Sequence, residues 1–383
     1  MDRIYLDHAA TSPVHPDVVA AMKPYYETFF GNPSSIHHFG REARRGLDES
    51  REFIAKTIGA SFDEIIFTSG GTEADNLAIR GFVEANSSKG THLITTKIEH
   101  HGVLHAFRYL ERQGFSVTYL DVDESGKVTV EQVENALTDE TILVSIMYGN
   151  NEVGTVQPIA SIGRLLSHHQ ATFHTDAVQA IGTESIKVDE LGVDFLAAAG
   201  HKMNGPNGIG FLYARKGHLL APLLHGGEQE KKRRAGTENV PGVIGMAKAL
   251  YIADEERLGR NESYRHFQQI MLNTFDKGQI NYVVNGCDKD RLDHIFNVSF
   301  PGINVESLLM NLDLEGIAVS SGSACTAGSI DPSHVLTAMF NDEVRSHSAV
   351  RFSFGYGNTE EQVRRAADVT VSVVKRLMKI ETS

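Results

Sequence analysis

Asp194 to Gly210 reads DFLAAAGHKMNGPNGIG. The apolar run Phe195 to Ala199 has the length of a buried strand. Gly200 ends it, and Gly205, Pro206 and Gly208 make a tight turn into a second strand, Ile209 to Tyr213. Lys202 therefore falls at a strand end beneath a glycine-rich hairpin. Partial desolvation there disfavours the ammonium and makes the amine available as a Schiff-base nucleophile. Read alone, the same lysine is an ordinary solvated loop residue, and the neighbouring strand ends decide between the two.

Outward from this hairpin, strands are expected at Glu64–Thr68, His92–Thr96, Ser116–Asp121, Thr141–Met147 and Ala171–His174. Helices separate most of them, at Thr72–Ala85, Gly102–Gln113, Val130–Leu137 and Ile159–His169, and an amphipathic helix Phe39–Ile58 precedes them. A helix Asp17–Phe30 is expected to be interrupted at Pro24. The alternation predicts an α/β fold with a mostly parallel, doubly wound seven-stranded sheet, whose ligands sit beyond the carboxyl ends of the strands. A helix Val240–Ala253 leads out of this unit, and composition shifts near Arg260. Helix Ser263–Phe275, strands Tyr282–Val284 and His294–Phe300, helix Val305–Leu312, strand Ala349–Phe354 and helix Thr359–Lys379 form a smaller α+β domain. The expected division is a large domain over 15–258 and a small one combining 1–14 with 259–383.

Of 383 residues, 41% are hydrophobic and 22% charged, the usage of a globular chain with a substantial core. The net charge of −13 argues against a broad, sequence-independent hold on nucleic acid. The opening MDRIYLDHAATSP has no apolar signal region and no run is long enough to span a bilayer, so a cytoplasmic protein without membrane attachment is expected. The two cysteines do not make a disulfide framework.

Polar residues gather where the strands end. SGGTEADN after the first strand gives glycines, Thr72 and a helix N-terminus, either a plain cap or an anion cup for phosphate. His100, after the next, is either a capping or surface histidine or a flat ring able to stack on an aromatic ligand. Asn150 and Asn151 are turn residues or donors to a ring oxygen. Asp176, just past a buried strand with Gln179 nearby, needs a cation, and a protonated pyridine nitrogen is one. Together with Lys202, these match the needs of pyridoxal 5'-phosphate.

The ordered motifs YLDHAATSPV, FGNPSSIHHFG, FTSGGTEADNLAI, IEHHGVL, NNEVGTVQPI, HTDAVQ, GHKMNGPNGIG, RRAGTENV, SSGSACTAG and VRFSFG resemble the cysteine desulfurases of the NifS/IscS type, fold-type I pyridoxal phosphate enzymes, over essentially the whole chain. The resemblance implies that Lys202 carries the cofactor as a Schiff base, that His100 stacks on the ring and assists proton transfer, and that Asp176 holds the pyridine nitrogen. It also implies that Asn151 and Gln179 contact the ring side, with Ala199 and Gly200 beside it. Gly71, Thr72 and His201 bind the phosphate, joined by Thr237 from the partner subunit of a homodimer. Where the family commonly carries a serine, this chain has Ala199, so one phosphate hydrogen bond is lost.

Cys325 lies in SSGSACTAGS, a run too small and polar to pack a core, where a thiol is open to chemistry and can move between a buried site and an acceptor. The resemblance makes it the nucleophile that takes sulfur from L-cysteine, leaving L-alanine, and assigns Arg351, with Asn151, to the substrate; a guanidinium fork suits the α-carboxylate. No resident metal is expected, with Cys325 at most a transient iron–sulfur ligand. The sulfur acceptor is a tRNA-thiolating enzyme or an iron–sulfur scaffold, with equal weight. The alternatives are a selenocysteine lyase, an aminotransferase-like enzyme of the same fold, or a non-catalytic partner that keeps the fold. Cys287 matches no motif. His101 and His105 lack the glutamate of a zinc-protease helix, and the basic run Lys231–Arg234 reads as a solvated loop.

Overall fold

The computed structural model describes residues 3–321, 333–340 and 342–381. Its strands are β1 (Ile4–Tyr5), β2 (Ile65–Thr68), β3 (His92–Thr96), β4 (Ser116–Leu120), β5 (Thr141–Ser145), β6 (Thr172–Asp176), β7 (Phe195–Ala199), β8 (Gly210–Ala214), β9 (Val283–Asn285), β10 (Ile295–Ser299), β11 (Ile317–Ala318) and β12 (Ala349–Ser353). Seven of them form one sheet in the order β2-β8-β7-β6-β5-β3-β4. All neighbours run parallel except β8, which is antiparallel to both β2 and β7. The β7–β8 hairpin that opened the sequence reading is thus the one tight reversal among parallel crossovers.

Both faces of this sheet are covered, which is why its strands are continuously buried rather than alternating. Side chains still alternate by face. On β7, Phe195 and Ala197 pack with Ala74, Phe82 and Phe107 from helices on one side. Leu196 and Ala198 pack with Leu47, Ile54, Ile162 and Met246 on the other. A second core joins β1, β9, β10, β11 and β12 to the helices Val305–Leu314 and Glu360–Glu381, around Phe296, Phe352, Phe354, Leu308 and Val374.

Several expectations are corrected. Val240–Ala253 and Ser263–Phe275 are not separate helices: one helix runs from Val240 to Gly278. The charged stretch between them is its solvent-facing middle, laced by the ion pairs Arg257–Asp254 and Arg260–Glu256. One end of this helix buries Met246 and Leu250 against the large sheet, while the other buries Phe267, Met271 and Phe275 in the second core. Pro24 does not interrupt its helix, which runs Pro16–Glu27; near the last turn the missing N–H costs a single bond. The helix after β2 carries a π-turn at Leu77–Gly81 between Gly71–Asn76 and Phe82–Asn86. β5 stops at Ser145, short of Met147, and β6 extends to Asp176, so that carboxylate is the last strand residue rather than the first beyond it.

The basic loop is anchored, not free. Arg51, buried on helix His38–Ile58, donates to both oxygens of Glu230 at 2.6 and 2.8 Å and to Ile65 O at 2.6 Å, while Glu230 also accepts from Phe67 N. Glu230, Lys231 and Lys232 all have positive φ, a conformation that this pair helps to hold. Arg51→Ala would strand a buried carboxylate and is expected to lower the unfolding free energy by about 3–5 kcal/mol, measured by denaturant titration. A loss near zero would show the pair to be dispensable.

Candidate active site

At the carboxyl ends of the parallel strands, where a doubly wound sheet places its ligands, lies a cavity of about 400 Å³. It is lined by Gly71, Thr72, His100, Asn151, Asp176, Gln179, Ala199, His201, Lys202 and Arg351, with Ala9, Ala10 and Asp75. Residues spread over almost the whole chain meet there.

A short 3-10 turn, Gly200–Lys202, carries the chain off β7. It aims the Lys202 amine at the N-terminal segment, where Nζ donates to Ala9 O at 2.5 Å and Ala10 O at 2.7 Å. Gly70 and Gly71 follow β2. A Cβ on Gly71 would come within 2.6 Å of Val178 Cγ2, so glycine lets the helix start pack closely against the turn after β6. The N–H groups at that start face no helical partner and sit beside Thr72, a cradle suited to a phosphate.

His100 is the N-cap of helix His101–Arg112: its Nδ1 accepts from Gly102 N at 3.1 Å, which leaves the ring proton on Nε2. Capping and facing the cavity are therefore not alternatives, since the imidazole does both. Burial, and then the Lys202 charge, push its pKa down to about 4. The unfolded chain takes the proton first as pH falls from the ordinary 6.5, so this residue costs the fold stability in that window. An NMR titration of His100 is expected to show a midpoint near 4; a midpoint at the ordinary histidine value would remove the neutral-imidazole assignment.

Asp176 is buried, and its Oδ1 accepts from Val178 N at 2.9 Å. Burial raises its pKa to about 6, against the Val178 N–H and the Lys202 charge, which both lower it. A cation placed against it would restore the carboxylate. Arg351, only 3% exposed, is held by Asn151 O at 2.8 Å on Nη1 and by Asp7 Oδ1 at 2.8 Å on Nη2. Its Nε has no hydrogen-bond partner among the described residues.

Other expected residues are placed less simply. Asn150 is a turn residue: its Oδ1 accepts from Glu152 N and Val153 N. Asn151 reaches the cavity. Gln179 lines the cavity too, but its amide donates to Ala9 O and its Oε1 lies 3.3 Å from His294 Nε2. His201 Nδ1 lies 3.2 Å from Thr11 Oγ1, and burial pushes its pKa to about 4. Gly200 does not line the cavity; it lies behind Ala199, flanked by Pro206 and Ile209. Thr237 is exposed, in the loop before helix Val240–Gly278, and does not line this chain's cavity either. Cys325 falls outside the described residues. Lys231 pairs with Asp63, Lys232 with Glu228 and Arg234 with Glu73, so the basic run is largely neutralised by neighbours.

The residues fit pyridoxal phosphate: free N–H groups for the phosphate, a primary amine for the aldehyde, and a buried carboxylate for the ring nitrogen. The aminotransferase class-V family model matches residues 4–366. A protein of Bacillus subtilis (strain 168) assigned to the cysteine desulfurases as IscS 1 is 59% identical over 378 residues, 98% of this chain and 100% of that one. This chain belongs to the aminotransferase class-V family, among its cysteine desulfurases. The solved structure of a NifS-like protein shares this class-V fold with a TM-score of 0.92 at 36% identity, covering 98% of this chain and 100% of that one. A second, described as SspA in complex with cysteine, has a TM-score of 0.81 at 37% identity, covering 92% and 98%.

Sequence reasoning missed several residues of this class-V site. Asp7 grips Arg351 from a segment 344 positions away in the chain, and nothing local in YLDHAAT marks the pairing. Asp75 lines the cavity from the phosphate-side helix. Glu99, fully buried, accepts from Thr96 Oγ1 and Met147 N, and burial raises its pKa to about 8. An acidic residue directly before His100, in the buried turn after β3, was the available signal. Among the described residues no helix is long and apolar enough to cross a membrane.

Proposed function

We propose that this desulfurase binds pyridoxal 5'-phosphate on Lys202 and uses it to remove sulfur from L-cysteine, giving L-alanine and a persulfide on Cys325. The observation that carries the reading is one cavity bringing together the Lys202 amine, buried Asp176, neutral His100 and Arg351. When bound, the cofactor supplies an electron sink for the substrate's Cα.

The chain's own groups do the rest. Gly71, Thr72 and His201 hold the phosphate, with Thr237 of a second subunit completing it in a homodimer. Asp176 would hold the proton of the ring nitrogen, and the neutral His100 imidazole would offer its face to the ring. Asn151 and Gln179 border the ring. Arg351 takes the α-carboxylate. Lys202 would supply the base that moves the Cα proton, with His100 beside it. The Cys325 thiolate would then attack the substrate sulfur: an S–S bond forms as the C–S bond breaks, the C–S electron pair stays with the carbon skeleton, and that carbon takes up a proton to leave as alanine. The persulfide sulfur passes to an acceptor protein, a tRNA-thiolating enzyme or an iron–sulfur scaffold.

Cys325→Ser is expected to keep the yellow bound cofactor yet release no alanine from cysteine under turnover. Full alanine release by that variant would take the nucleophile out of the scheme. Transfer of labelled sulfur from the wild-type persulfide to each purified acceptor separates the two routes, and labelling of neither rejects both.

A further inference from the structure

Beneath the cavity, two buried polar atoms face each other with no other partner among the described residues. Asp75 Oδ1 and His174 Nε2 lie 3.5 Å apart; their side chains are 1% and 0% exposed, and among the described residues neither atom is hydrogen-bonded elsewhere. His174 sits on β6 two residues before Asp176, and its Nδ1 lies 2.8 Å from Ser145 Oγ. Asp75 projects from helix Gly71–Asn76, the element whose start forms the phosphate cradle, and it lines the cavity.

Three charge states could satisfy such a pair. In the first, an imidazolium faces a carboxylate. Both ions would then be stripped of water, a cost that attraction at this separation repays poorly. The carboxylate would also share the interior with Asp176 and Glu99, both of which push the Asp75 proton affinity up, after burial itself. In the second, a neutral imidazole donates Nε2–H to an ionised Asp75; this keeps a bare carboxylate in the interior and is disfavoured for the same reasons as the ion pair. In the third state both groups are neutral: His174 carries its proton on Nδ1, toward Ser145, and Asp75 carries one on the oxygen facing Nε2. Burial pushes His174 down to about 3, in the same direction. His100, whose Nδ1 caps the neighbouring helix close to Asp75 Oδ2 across Gly102, is neutral as well and supplies no compensating charge.

We propose that Asp75 is a positioning residue held as a neutral acid against His174, so that no second negative charge opposes the phosphate in the cradle and Asp176 alone is ionised beneath the ring. The proposal rests on the cofactor reading above. An ionised Asp75 would sit beside a phosphate dianion and weaken its binding; a protonated one turns its hydrogen toward β6 and adds rigidity to the floor of the site.

The first measurement needs neither mutation nor cofactor. In the full-length, cofactor-free wild-type protein with 15N-labelled histidine, His174 is expected to be a neutral Nδ1–H tautomer at about pH 7; an imidazolium or a neutral Nε2–H tautomer there overturns the proposal whatever the fate of the cofactor reading. The second uses Asp75→Asn, whose amide can donate to Nε2 in the acid's place. The infrared C=O band of a protonated carboxyl should be present in the wild type and lost in the variant, and affinity for pyridoxal 5'-phosphate should stay within about twofold. If Asp75 were ionised, deleting its charge would tighten that affinity roughly tenfold or more, and the infrared difference would be missing. Either result refutes the neutral acid. Should the variant fail to fold, the wild-type histidine spectrum still decides.

Discussion

Lys202→Ala is expected to lower alanine formation from cysteine by at least about 10³-fold, because in the proposed scheme it removes both the covalent anchor for the cofactor and the base at Cα. In the structure the Lys202 amine is already aimed by two main-chain carbonyls, those of Ala9 and Ala10. It needs only to exchange them for the cofactor. Two measurements check this. Alanine release under saturating cysteine reads the rate, and borohydride reduction followed by peptide mapping reads the attachment point. A variant within tenfold of wild type, or a reduced label recovered at any other lysine, would remove the assignment.

Asp176→Asn is the second large effect. The substitution keeps size and leaves an oxygen able to accept from Val178 N, but it deletes the charge. A neutral amide cannot hold a proton on a pyridine nitrogen in a site that excludes water, and the electron-withdrawing power of the ring falls with that proton. The expected loss in kcat is about 10²–10³-fold, the scale seen when one preorganised electrostatic partner is removed from an active site. Because Asp176 is buried with few compensating charges, with a pKa raised to about 6 in the cofactor-free chain, the variant should fold at least as well as wild type near neutral pH. Thermal melting checks that arm. A stable variant with undiminished kcat would show that the ring nitrogen does not need this carboxylate.

These two positions also show how unevenly a linear sequence reveals a site. Lys202 and Asp176 were legible because each breaks a local rule: a charged residue directly at the end of a buried apolar strand has no packing reason to be there. The same logic found Thr72 and His100, and the hairpin at Gly205–Gly208 placed them all at one sheet edge once the strand–helix rhythm was recognised. Residues whose role comes from a distant partner gave no such sign. Asp7 is one acidic residue among many near the N-terminus until β12 brings Arg351 against it. His174 reads as a strand residue until Asp75 faces it from a helix about a hundred positions earlier in the chain.

The same division holds for the fold. By itself the sequence determined the seven-stranded α/β sheet, its strand-end chemistry and the membership of Lys202, His100 and Asp176 in one site, because hydrophobic periodicity and turn residues act over a few neighbouring positions. Only the tertiary structure decided that Val240–Gly278 is one helix bridging two cores, that β2 joins the sheet by pairing with β8, and which groups lean on Arg351 and Asp75. A charged stretch looks the same whether it links two helices or lines the wet face of one. What separates the cases is the free energy of contacts between segments far apart in sequence, and those contacts exist only once the chain has closed on itself.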